Sequence, residues 1–152
     1  MELTTFAVYM GACLAAAATG MIFQPGTWYE GLNKPTWTPP RWAFPVVWTA
    51  LYIAMAIAAA RVATAPGNGM ALALWSLQIA LNTLWTPVFF GGHYKRAGLV
   101  IISLLWLTVA SMIPHFWALD IFAALLLVPY LLWLTIATAL NFWIWRNNLP
   151  VR

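Results

Sequence analysis

Few residues in this chain are equipped for chemistry, and their spacing is informative. Gln78 and Asn82 lie four residues apart in an uncharged stretch, with Trp85 and Thr86 one turn further on. Four-residue steps place side chains on one face of a helix. The same step separates Trp48 from Tyr52, with Thr49 beside them, and recurs in Trp133, Ala137 and Asn141. An amide in hydrocarbon requires a partner, and two readings supply one. Gln78, Asn82 and Asn141 hydrogen-bond between helices as glue, or they line a cavity walled by aromatic faces. Such a cavity suits a large, flat, mostly apolar ligand with polar edges. Tryptophans as deep as Trp48 and Trp133 also need a partner for the indole N–H, which favours a pocket or a tight interhelical contact.

Other chemistries find little support. His93 and His115 are imidazoles of the kind that ligate haem iron, but each stands near the end of an apolar run. The topology below puts them on opposite faces, so no shared metal is expected. Cys13 sits among alanines and reads as a small apolar filler. A lone cysteine also excludes an intrachain disulfide and a cysteine-based metal site. The acids, Glu2, Glu30 and Asp120, all lie near run ends, and no Ser-His-Asp set is within plausible reach. Ion and proton pathways mark themselves with charges deep in a span, and none is present here.

The elements that must position these groups follow from composition. Of 152 residues, 64% are hydrophobic and 7% charged, against roughly 45–50% and 25% in soluble domains. So few charges cannot cover a soluble surface. Seven basic against three acidic residues are too few for a phosphate-binding surface, so nucleic acid is excluded as a partner. A bilayer core needs about 20 apolar residues per helix, and five runs meet that length: 5–23, 42–60, 70–90, 97–113 and 119–145. They do not alternate as barrel strands do. The fold expected is an all-α membrane protein, a five-transmembrane-helix bundle over residues 1–152. The first run lacks a basic start and a cleavage site, so it is expected to stay in the mature protein.

The connections are uneven. Pro66, Gly67 and Gly69 break the chain between runs two and three, and little more than Pro114 to Ala118 separates runs four and five. The first connection, 24–41, is long, proline-rich and carries Trp28, Tyr29 and Trp37. It reads either as a lid over a binding site or as an interfacial loop with its aromatics among headgroups. Pro87 and Pro129 are expected to bend their spans. With five spans, Lys34, Arg41, Lys95, Arg96, Arg146 and Arg152 share one face and Arg61 stands alone on the other. In a bacterial inner membrane that asymmetry places the N-terminus outside and the C-terminus and long loop inside. A C-terminal reporter active only in the exterior compartment would contradict this. Small residues four apart, Gly67 with Ala71, Gly69 with Ala73 and Ala56 with Ala60, allow close helix approach and a homodimer.

The spaced residues resemble a known family. Trp28-Tyr29-x-x-Leu32-x-Lys34-Pro35-x-Trp37-x-Pro39-Pro40 is followed by Phe44-Pro45-x-x-Trp48-x-x-x-Tyr52. Leu81-Asn82-x-x-Trp85 precedes Phe89-Phe90, and Pro129-Tyr130-Leu131-x-Trp133 precedes Leu140-Asn141 and Arg146-Asn147. Over nearly its whole length the chain resembles the tryptophan-rich sensory protein and translocator protein family (TspO/MBR, which includes the peripheral benzodiazepine receptor), most of all its bacterial members. The resemblance implies a five-helix bundle, commonly dimeric, with a pocket beneath the first loop. That pocket binds porphyrins such as protoporphyrin IX and haem as ligands, with no obligatory cofactor. It also takes isoquinoline carboxamide and benzodiazepine ligands, and eukaryotic members bind cholesterol. Carried over by position, the implied ligand-binding residues are Tyr29, Trp48, Asn82, Trp85, Trp133 and Ala137. The implied role is tetrapyrrole regulation, sensing or transport. A light- and oxygen-dependent degradation of protoporphyrin IX is the alternative, with Trp48 and Trp133 as its catalytic residues, and sterol or lipid transport is another. One departure bears on sterol: Phe142 stands where the animal motif has tyrosine between an aliphatic and a basic residue. Val88, Tyr94 and Arg96 match the loose pattern elsewhere.

Overall fold

The computed structural model describes residues 1–148, so Arg152 of the charge count lies outside the described residues. All regular structure among them is helical: α1 (Leu3–Ile22), α2 (Thr27–Glu30), α3 (Ala43–Val62), α4 (Gly69–Thr86), α5 (Lys95–Leu119) and α6 (Ile121–Asn147), with a π-turn at Pro87–Gly91. Five long helices close a ring in the order α1, α3, α6, α5, α4, each packed on its neighbours and α4 returning to α1. Large apolar side chains such as Leu14, Leu104, Leu107, Leu132 and Ile136 face outward, while Gln78, Asn82, Thr108 and Asn141 are buried. This polarity is inverted relative to a soluble bundle and is what a hydrocarbon solvent selects. The chain is an integral, multi-pass membrane protein.

Among the described residues α1, α3, α5 and α6 are long and apolar enough to cross a bilayer. Helix α4 is shorter, and Ser76, Gln78, Asn82, Thr83 and Thr86 lower its hydropathy. Two boundaries differ from the sequence reading. The stretch Pro114 to Ala118 is no connection: α5 runs through it to Leu119, and the turn is Asp120 alone. Pro114 gives up its own N–H bond and crowds the carbonyl one turn back, yet the helix continues past it for a further turn to Leu119. The third run changes character at Pro87, where α4 gives way to the π-turn.

Local chemistry explains the ends. Pro45 occupies the first turn of α3, where backbone N–H groups have no partner anyway. Gly67 takes φ 77° in the turn before α4, a left-handed conformation that glycine adopts without penalty. Asn68 Nδ2 then donates to the Val62 and Ala63 carbonyls, 3.0 and 2.9 Å away, closing the end of α3. Of the small-residue pairs, Ala56, Ala60 and Ala71 are spent on packing inside the ring, whereas Gly69 and Ala73 face outward.

Asp120 fastens the end of the bundle opposite the long loop. It caps α6 by accepting from the Ala123 N–H at 3.1 Å, and it receives Arg61 Nε at 2.8 Å. Partial burial pushes its carboxyl up, but the Arg61 hydrogen bond, the backbone N–H groups and the Arg61 charge outweigh it and hold the carboxyl below its ordinary value. A carboxylate depressed in the folded state adds stability above its unfolded pKa and loses it as pH falls through the folded one. Asp120→Ala is therefore expected to cost about 1 kcal/mol at neutral pH. In thermal unfolding of detergent-solubilised protein, the gap to wild type should close on acidification below about pH 4. An equal gap at pH 7 and pH 2 refutes the assignment.

Candidate functional site

The long first loop folds into a lid. Its short helix α2 is closed by Lys34, whose Nζ donates to the carbonyls of Tyr29, Glu30 and Leu32 at 2.8, 3.2 and 3.4 Å. Asn33 and Asn148 exchange two hydrogen bonds, Asn33 N to Asn148 Oδ1 at 2.8 Å and Asn148 Nδ2 to Asn33 O at 2.9 Å. Trp28 stacks flat on His93 with ring centres 4.3 Å apart, and His93 itself holds a left-handed φ of 61°. The two readings of the loop divide between its residues: Trp28 and Tyr29 turn inward, while Trp37 is exposed. The same contacts bring the first loop, the Gly91–Arg96 connection and the end of α6 to one end of the ring. Lys34, Arg41, Lys95, Arg96 and Arg146 are therefore clustered there, away from Arg61.

Beside the two ends of this loop, where α3 and α4 barely meet, lies a cavity of about 740 Å3. Its wall comes from α1 (Ala17, Gly20, Met21), the lid and its flanks (Phe23, Gln24, Pro25, Arg41, Trp42), α3 (Phe44, Pro45, Trp48, Thr49, Tyr52), α4 (Trp85, Thr86) and Phe90 of the π-turn. The size is within the roughly 300–1,000 Å3 of small-molecule sites, and such a wall is mostly apolar with few polar groups. Gly91 makes the junction with the lid possible, since a Cβ there would stand 2.6 Å from the Phe23 ring.

Of the six residues expected from the sequence, Trp48 and Trp85 are on this wall. Tyr29 and Trp133 stand directly behind it. Tyr29 meets the edges of Phe44 and Phe90 at 6.5 and 5.5 Å, and Trp133 meets Phe44 and Trp48 at 5.6 and 6.5 Å. Both have a buried polar atom with no protein partner, Tyr29 Oη and Trp133 Nε1. Asn82 is buried in a relay: Tyr52 Oη donates to its Oδ1 at 2.9 Å, its Nδ2 donates to Tyr130 Oη at 2.9 Å, and that hydroxyl donates to Gln78 Oε1 at 2.7 Å. The glue reading thus describes Gln78 and Asn82. It also describes Asn141, which accepts from Trp85 Nε1 at 3.1 Å and donates to the Lys95 carbonyl at 2.9 Å. Ala137 is buried on the α6 face between Trp133 and Asn141, off the cavity wall.

Sequence reasoning missed the α1 side of the wall and Arg41, Phe44 and Phe90. One signal was available: Ala17 and Gly20 are small residues three apart in a charge-free span, leaving room beside a helix. His93 and His115 lie at opposite ends of α5, about 30 Å apart along its axis. Among the described residues no cluster of three or more His, Cys, Asp or Glu side chains could hold a metal.

Comparison with known proteins agrees with this architecture. The chain is 53% identical to Protein CrtK of Rhodobacter capsulatus over 152 residues, covering 97% of this chain and 95% of that one. It is 49% identical to the tryptophan-rich sensory protein of Cereibacter sphaeroides, covering 97% and 94%. It is 38% identical to the human translocator protein over 126 residues, covering 80% and 75%. The family model described as TspO/MBR matches residues 5–146, and with this ring of helices and its aromatic cavity the chain belongs to the TspO/MBR family.

Proposed function

We propose that this protein binds a tetrapyrrole, a porphyrin or haem, in the cavity beside the loop ends and acts in tetrapyrrole sensing, regulation or transport. The observation that carries the reading is the wall itself: Trp48, Phe44, Trp85 and Phe90 surround one space, with few polar side chains, Gln24 and Arg41 at the ends of the loop and Thr49, Tyr52 and Thr86 on α3 and α4. The site residues are Tyr29, Trp48, Asn82, Trp85, Trp133 and Ala137, with Asn82 and Ala137 shaping the space from behind. All five long helices cross the membrane, α4 included. In a bacterial inner membrane the basic end, with the lid, faces the cytoplasm, as the excess of Lys and Arg there directs. Homodimer contact is assigned to the outward Gly69 and Ala73 of α4, and loss of a cross-linked dimer in Ala73→Trp is the expected check.

Tryptophan fluorescence in the dark tests the binding. Protoporphyrin IX titrated into detergent-solubilised protein should quench saturably at micromolar concentration, since Trp48 and Trp85 line the space. Linear, non-saturating quenching would mean that the porphyrin only partitions into the micelle, and the reading fails. The contact between Trp48 and Trp133 favours a second reading. An indole can pass one electron to a photoexcited porphyrin; the porphyrin radical anion then adds dioxygen and the adduct returns an electron to the indole radical cation, so that the net change is porphyrin plus dioxygen to an oxygenated, degraded product. Repeating the titration under light decides it: bleaching that is unchanged per protein when both tryptophans become phenylalanine leaves the binding role alone.

A further inference from the structure

The cavity wall carries one ionised side chain, Arg41, at the lid. Three of the deeper polar groups are already engaged by the protein. Tyr52 Oη donates to Asn82 and Trp85 Nε1 to Asn141, while the Thr49 hydroxyl donates to the Pro45 carbonyl at 2.7 Å. Thr86 and the indole N–H groups of Trp42 and Trp48 add neutral donors only. A negatively charged group on a ligand therefore meets its one opposite charge at the mouth, which favours a pose with the apolar body pointing inward.

Arg41 is held ready there by two internal partners. Its Nη1 donates to the Glu30 carboxylate, and its Nη2 donates to the Pro25 carbonyl at 2.6 Å. Both charged side chains are more than half exposed, and exposed ion pairs are weak and screened by salt. A guanidinium presents two parallel donors to a carboxylate, so an incoming carboxylate can take the place that Glu30 holds.

We propose that Arg41 is the specificity-determining residue of this cavity, selecting flat apolar ligands that bear a carboxylate at one edge, and that Glu30 is the built-in competitor occupying Arg41 until such a ligand arrives. The inference rests on the cavity being the ligand site and adds to it the ligand's charge and orientation. A neutral flat molecule fits the same walls but gains nothing at the mouth. The carboxylate lies at the mouth, and the ring edge opposite it lies toward Tyr52.

Protoporphyrin IX and its dimethyl ester are the probes, because they share the macrocycle and differ in the carboxylates. Both are titrated in the dark into the full chain in a non-ionic detergent, and the readout is the ratio of the two affinities, which divides out a general change in cavity shape. Wild type should favour the acid by about tenfold at low salt, less at high salt. Arg41→Gln should bring the ratio close to one, and Glu30→Gln should raise it several-fold above wild type. An unchanged ratio in Arg41→Gln overturns the proposal, as does a wild-type ratio near one. If Arg41→Gln loses both probes because the lid no longer closes, Glu30→Gln decides: a raised ratio upholds the proposal and an unraised one overturns it. Failure of both probes to bind wild type saturably rejects the cavity as the ligand site, which is a different result from saturable binding without acid preference; saturation by the acid alone counts as acid preference.

Discussion

Replacing Trp85 by alanine is expected to destabilise the protein by about 3–5 kcal/mol, the range for emptying a large buried aromatic position. The ring stacks on Phe89 with centres 5.2 Å apart and meets the edge of Phe90 at 5.4 Å. Its indole N–H donates to Asn141 Oδ1 at 3.1 Å. Asn141 in turn holds the Lys95 carbonyl at the start of α5, so this one indole ties α4, the π-turn, α5 and α6 together. Removing it leaves a cavity and an amide oxygen without its donor, two separate costs. Trp85→Phe separates them. The smaller ring preserves the stack and forfeits only the hydrogen bond, at about 1–2 kcal/mol. Double-mutant cycles within membranes put such bonds near 0.6 kcal/mol on average, so packing, not the hydrogen bond, should dominate. The measurement is a titration with denaturing detergent followed by helical circular dichroism. A Trp85→Phe cost equal to that of Trp85→Ala would show that the amide contact dominates instead.

The second large effect is on binding. Ala17 lies on the cavity wall in α1, opposite the aromatic faces, and a phenylalanine there projects into the ligand's space. Overfilling of this kind costs about 1–3 kcal/mol, so porphyrin affinity should fall by about 5- to 150-fold, with the fold retained because the cavity has room for the ring. Ala137→Phe is a useful contrast. On the sequence alone it is the substitution expected to fill the pocket, yet Ala137 sits off the wall. A phenylalanine there leans back along α6 toward Trp133 and reaches the ligand only by pushing that ring against Trp48. Its effect on affinity should be the smaller of the two, and it should also cost stability. Wild-type affinity in a folded Ala17→Phe variant would place the ligand elsewhere.

The sequence by itself determined the solvent and the class of this fold. Long uncharged runs admit only helices in a bilayer, because every backbone polar group must be satisfied within its own segment. The end of the bundle that collects the basic residues, the family, and the placing of Trp48 and Trp85 on inward faces were equally legible, since aromatic residues at helical spacing are visible without coordinates. The tertiary structure alone decided how those faces are used. Asn82 and Asn141 bind other helices instead of facing the cavity, because Tyr52, Tyr130 and Trp85 present complementary groups within 3.1 Å of them. None of the three partners is near its own amide in the chain, and no periodicity encodes which helix will be the neighbour. The same holds for the wall contributed by α1 and for Arg41 at the mouth. Ring order sets both, and ring order follows from which apolar faces fit one another, a property of the assembled surfaces and not of any single run.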